Sequence, residues 1–95
     1  MPTYFIAQIN IHDWDAYQQY LAGTDGPLAR FRAEVLVVDD QPTLLEGTWD
    51  YTRTVVIRFP DAEAAQGWYN SPEYREIFQH RQRAAHTNAI FVQGK

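Results

Sequence analysis

Residues 3–11, TYFIAQINI, and 52–59, TRTVVIRF, alternate with a period of two, which commits the chain to a fold built around a sheet. In the first segment Phe5, Ala7, Ile9 and Ile11 form one face, and Tyr4, Ile6, Gln8 and Asn10 form the other. In the second, Val55, Ile57 and Phe59 oppose Thr54, Val56 and Arg58. Each strand thus offers one apolar face, suited to a layer of helices, and one mixed face. The mixed faces are too apolar to ignore and too polar for a dry core, so they fit either solvent or a closed, partly wet cavity.

Helical spacing fills the intervals. Asp13 stands where an N-cap belongs, with Asp15 in the first turn and Trp14, Tyr17 and Leu21 following. Gly23 to Pro27 interrupts this helix, and Leu28 to Arg32 resumes it. Glu34 to Val38 reads as a strand, Asp39-Asp40-Gln41-Pro42 as a turn, and Thr43 to Trp49 as the returning strand of a hairpin. Pro60-Asp61 opens a helix through Trp68 and Tyr69, Ser71-Pro72-Glu73 opens another to about Ala85, and Ala89 to Val92 ends as a short strand. The order is β-α-β-β-α-β, with the second helix in two pieces. That is the α+β, ferredoxin-like arrangement: an antiparallel sheet with both helices on one face.

Ninety-five residues make one domain, 1–95, with an ample apolar fraction of 45% but marginal burial on its own. With no cysteine, neither a disulfide nor a thiolate metal site can add stability, which leaves a partner subunit. Two mixed sheet faces packed across a two-fold axis would supply it, so a homodimer through the open sheet face is expected. The net charge of −4 and the lack of a basic stripe argue against nucleic acid. No apolar run approaches a membrane span, and MPTYFIAQINI lacks a positive leader, so a soluble, cytoplasmic protein is expected.

RTVVIRFPDAEAAQGWYNSPEYREIFQHRQ, residues 53–82, resembles the signature of the domain-of-unknown-function family DUF1330, and LEGTW at 45–49 and DWDAYQQY at 13–20 resemble its earlier part. The resemblance implies a dimeric α+β barrel of ferredoxin-like subunits and no established reaction. The sequence departs from the family where relatives tend to carry a Gly-Gly turn and this chain reads Arg30-Phe31-Arg32-Ala33-Glu34. It departs again at Val38-Asp39-Asp40-Gln41, in place of a basic, glycine-containing turn.

The residue hardest to explain as plain structure is Arg81. Wound at 100° per residue, the last helix puts Tyr74, Ile77, Phe78 and Ala85 on one face, with Arg81 in its midst. A buried guanidinium without a partner costs several kcal/mol. Its partner is either an acid of the chain, Glu46 of LEG being the first choice, or the anionic group of a ligand. Glu46, Arg53 and Arg81 are accordingly the structural or anion-anchoring set, and all three match the family resemblance. Tyr74, one turn from Ile77 and two from Arg81, either buries its ring or donates to an oxyanion. His12, at a strand-to-helix junction, is the histidine best placed for acid–base work. His80 and His86, six residues apart on a continuous helix, would face different ways.

No histidine and acid spacing suits a metal, no phosphate or dinucleotide loop occurs, and no nucleophile motif is present, so neither metal nor cofactor is expected. Tyr4, Gln8, Asn10 and Arg58 converge on the open face and are the expected ligand-binding residues. The reading is a small dimeric protein that binds a hydrophobic or anionic metabolite in a cavity on that face. The alternative is a cofactor-independent enzyme, monooxygenase- or isomerase-like, acting on an aromatic or lactone-type metabolite. A purely structural interaction module would instead show a flat, filled face.

Overall fold

The computed structural model describes residues 1–95. Its elements are β1 (Thr3–Ile11), α1 (Trp14–Ala22), α2 (Asp25–Arg30), β2 (Glu34–Asp39), β3 (Arg53–Phe59), α3 (Ala62–Asn70), α4 (Pro72–Ala84) and β4 (Ala85–Gln93). The strands form one sheet in the order β2-β3-β1-β4, with every neighbouring pair antiparallel. The α+β, ferredoxin-like order expected from the sequence is the one observed, and both helical layers of the motif are split in two.

Caps explain where the helices start. The Asp13 carboxylate accepts from the Ala16 amide at 3.1 Å, and the Asp61 carboxylate from the Ala64 amide at 2.8 Å. Ser71 does two jobs. Its Oγ donates to the Trp68 carbonyl, closing α3, and accepts from the Tyr74 amide, opening α4. Pro72 stands in the first turn, where its missing N–H costs nothing.

The apolar faces read from the sequence meet the helices. Phe5, Ala7, Ile9, Ile57 and Phe59 are buried with Tyr17, Tyr20, Trp68 and Tyr74. The Trp68 indole is the hub of this core, 5.2 Å from the Phe5 ring, 5.1 Å from Phe59 and 4.2 Å from Tyr74 between centroids. Facing the other way, Tyr4, Ile6, Gln8, Thr54, Val56 and Arg58 are only partly buried, and Asn10 is exposed.

Three expectations need correction. Thr43 to Trp49 is not a strand; the hairpin partner of β2 is β3 itself, with Val35 opposite Ile57 and Val38 opposite Val55. TLLEGTW has Leu44 and Leu45 adjacent and Gly47 at φ 75°, so it neither alternates nor stays extended, whereas RTVVIRF does both. The segment 40–52 is instead a loop, pinned at its neck where Arg53 donates to Asp40 at 2.8 Å. The last strand is also longer than expected, since α4 stops at Ala84 and β4 begins at once. His86 is therefore a strand residue. Finally, the break between α1 and α2 is shorter than read, because α2 already starts at Asp25.

The turn from α2 to β2 carries Arg32 at φ 57°, the left-handed region that glycine tolerates and other residues pay for. Ala33 then donates back to the Leu28 carbonyl at 2.9 Å, the usual closure of a helix end. Arg32→Gly is expected to raise stability by up to about 1 kcal/mol, since it relieves this strain at an exposed site. Urea denaturation of the two proteins checks it; a loss of stability would show that the arginine side chain, not the backbone, holds the turn.

Candidate functional site

Between the sheet and the helices lies a cavity of about 180 Å3 lined mainly by apolar side chains, including Phe5, Ile9, Ile57, Leu28 and Trp68. Its polar lining consists of Arg53, Arg81, Thr24 and Asp25, beside the phenols Tyr17 and Tyr20. Val35 and Val38 share the helix-facing side of the sheet with buried Ile57, yet remain 48% and 52% exposed. The helices stop short of β2, and that side is where the cavity meets solvent.

Arg81 is 4% exposed. No carboxylate pairs with it: the ion pairs of the chain are Arg30 with Glu73 and Arg53 with Asp40. Glu46 sits exposed in the 40–52 loop, so the Glu46–Arg81 pair expected from the sequence is not made within the chain. Arg81 is held instead by aromatic faces, its guanidinium carbon 4.9 Å from the Phe78 ring and 5.5 Å from Tyr20. Such contacts return on the order of 2 kcal/mol each when desolvated. A guanidinium taken out of water costs several kcal/mol unless solvent or a charge meets it, and no Arg81 nitrogen is among the fully buried atoms left without a partner.

Tyr74 is fully buried, and its hydroxyl lies 2.8 Å from that of Tyr20. Burial pushes the Tyr74 phenol far above the ordinary tyrosine range, and the neighbouring Tyr20 adds to the shift against the opposing pull of Arg81. Burial likewise raises Tyr17, with Tyr20 adding and Arg53 and Arg81 opposing. Burial acts to lower the Arg53 pKa, but its bond to Asp40 and the proximity of Tyr17 outweigh that, and the net shift is upward. The Arg53 guanidinium lies 5.5 Å from the Tyr17 ring and 5.9 Å from Trp14.

The structure divides the residues singled out in the sequence between the two sheet faces. Arg53, Arg81 and Tyr74 gather on the helix side. Tyr4, Gln8, Asn10 and Arg58 share the open face, where Tyr4 lies opposite Arg58 and Gln8 opposite Thr54. The apolar cavity is thus on the opposite side of the sheet from those four. His12 is exposed at the start of α1, and its ring lies 5.2 Å from that of His86, which stacks on Tyr51. The pairing of His12 with His86 was hidden by reading His86 as helical. Tyr20 was missed as a site residue; its i, i+3 spacing from Tyr17 on α1 was the available signal.

The fold and this cavity define a ferredoxin-like α+β protein with a pocket between its sheet and its helices. Residues 2–95 match the family described as Domain of unknown function (DUF1330), and the chain belongs to that family. No curated protein matches the sequence. Among solved structures it is similar to the RPA0582 protein of unknown function from Rhodopseudomonas palustris, at 19% identity and TM-score 0.82, over 99% of this chain and 82% of that one. It is similar to a dimeric ferredoxin-like protein of unknown function from Jannaschia sp. CCS1, at 9% identity and TM-score 0.74, over 99% and 100%. A third is SnoaB, a cofactor-independent oxygenase from Streptomyces nogalater, at 14% identity and TM-score 0.67, over 99% and 93%.

The tyrosine shifts set the alkaline limit of the fold. The unfolded chain ionises Tyr17 and Tyr74 above the ordinary value of 10.0, while the folded chain holds both neutral. Stability is therefore full below pH 10 and falls as the pH rises beyond it. Thermal melts from pH 8 to 11.5 should be flat at first and then descend. The double variant Tyr17→Phe/Tyr74→Phe should lower the plateau and flatten the descent; an unchanged slope would place the titrating groups elsewhere.

Proposed function

We propose that this protein is a small-molecule-binding homodimer, and that each subunit holds a compact hydrophobic anion between its sheet and its helices. One observation carries the reading: Arg81, almost wholly buried and without an acid partner, forms part of the wall of a mainly apolar cavity. A planar fork of donors at an apolar wall suits a carboxylate, phenolate or enolate. Size narrows the choice. A cavity of about 150 Å3 is enough to admit a benzene ring, so this one suits a single ring bearing one anionic group.

The cavity on the open face, expected from the sequence, gives way in this proposal to a dimer interface. Ile6, Val56, Ile90 and Val92 fall on that face, with Tyr4, Gln8, Asn10 and Arg58 among them. Ile90 is 57% exposed in the single chain, and a strip of this kind is better covered than solvated. The Jannaschia protein is dimeric, which supports a two-chain assembly.

A second reading makes the protein a cofactor-independent enzyme on an aromatic or lactone-type metabolite. The Tyr20–Tyr74 hydroxyl pair beside Arg81 favours it, because a phenol and a guanidinium together can stabilise a developing oxyanion. His12 is exposed at a distance from that pair in the chain and would need to reach the cavity mouth to serve as base.

Sodium benzoate is a suitable probe. Isothermal titration should show it binding to the native protein, and Arg81→Met should weaken it by about 100-fold or more, in line with losing a charge-assisted bond of about 3 kcal/mol. The variant should melt no lower than the native protein, since no intrachain carboxylate is left stranded. Equal benzoate affinity in both proteins would sink the reading. Native mass spectrometry tests the assembly: a species at twice the 11.1 kDa chain mass is expected. A monomer at micromolar concentration would refute the dimer.

A further inference from the structure

We propose a second binding site, a trough between α4 and β4 that takes an extended amphipathic monocarboxylate and competes with the inner cavity for Arg81. The proposal rests on the preceding reading only for that competition; the trough itself stands on separate observations. Two cavities lie end to end along the edge strand β4, mainly on its helix side, with His86 and Ile90 of the other face also among the lining. The first, of about 390 Å3, is lined by Phe78, Arg81, Gln82, His86 and Thr87 among others, and the second, of about 180 Å3, by Phe5, Ile90 and Phe91. Tyr69 and Ala89 belong to both, so the two form one depression along the strand.

Its two ends differ in chemistry. At the polar end the Thr87 hydroxyl is buried without a hydrogen-bond partner, and buried Arg81 has no acid. A buried hydroxyl left unpaired is costly, and a carboxylate oxygen beside it would accept its hydrogen bond. The far end is apolar. Thr87, Ala89 and Phe91 lie opposite Ile9, Ala7 and Phe5, so all three point to the helix side. Yet Phe91 is 36% exposed where Phe5 is 3% exposed, because the helices leave β4 incompletely covered.

Charge and length select the ligand. Arg81 is the one guanidinium on the trough wall and has only the His86 imidazole beside it there, which suits a single negative charge better than a phosphate dianion. From Thr87 to Phe91 the strand advances about 13 Å at its usual rise, enough for a chain of about eight carbons rather than a single ring. Arg81 also lines the inner cavity. One guanidinium cannot serve two anions without setting like charges side by side, so occupation of either site disfavours the other.

Sodium octanoate and sodium benzoate separate the two sites, read by amide chemical shifts of the full-length protein. Octanoate should shift Thr87, Ala89 and Phe91, and saturating benzoate should weaken it several-fold. Ala89→Trp, at an exposed position, should cost octanoate about tenfold or more and leave benzoate unchanged. Thr87→Val should weaken octanoate several-fold, and neutral 1-octanol should bind about tenfold more weakly than octanoate. Octanoate shifts confined to Leu28, Ile57 and their neighbours, or octanoate affinity unchanged by both substitutions, would overturn the trough. Octanoate binding at β4 without any benzoate binding would uphold the trough and refute the inner-cavity reading.

Discussion

The Trp68 indole decides how this fold closes. It stands at the end of α3, and the rings of Phe5 and Phe59 from two adjacent strands meet it on one side while Tyr74 of α4 meets it on the other. Its carbonyl is also the acceptor for Ser71, the residue that ends one helix and starts the next. Ring packing and chain direction are thus set at one point. α4 leaves that point with a fixed phase, and seven residues after Tyr74 the phase delivers Arg81 to the same layer. The aromatic hub thus sets where the buried cation falls, and the Phe78 and Tyr20 rings hold it there.

That placement gives the cavity its character. An interior built from tyrosines, a tryptophan and aliphatic residues would ordinarily close on itself, as protein interiors do. Here a guanidinium between Phe78 and Tyr20 keeps part of the wall polar, and the short helices leave Val35 and Val38 as a doorway. Tyr20 and Tyr74 hold each other's hydroxyls, so neither is orphaned while the site is empty.

The fold was legible because its two best strands alternate without interruption and its helices announce their starts with Asp13, Asp61 and Ser71. The burial of Arg81 was legible too, from phase alone. What the sequence hid was tertiary. Whether Glu46 can reach Arg81 depends on the path of a loop, and Gly47 with the paired leucines sends that loop into solvent. His86 was hidden because helix and strand meet there with no spacer, and residues with weak preferences take whichever state pairing offers. Tyr4, Gln8, Asn10 and Arg58 were correctly grouped on one face, but a sequence does not say which face of a sheet encloses space. That follows from helix lengths and from how far the layer extends beyond the central strands.

The neck of the 40–52 loop has one more implication. Arg53 and Asp40 clamp its two ends, Trp49 donates to Thr54 Oγ1 and Tyr51 stacks on His86, so residues 42–48 are the part whose length bears least on the sheet. Doubling such a loop costs only about 0.6 kcal/mol in closure entropy. Insertion or replacement in this segment is therefore tolerated with little change to the sheet. Arg53 is the exception, because the same side chain fastens the loop and lines the cavity. Novelty accumulating outside can reach the interior through that one residue.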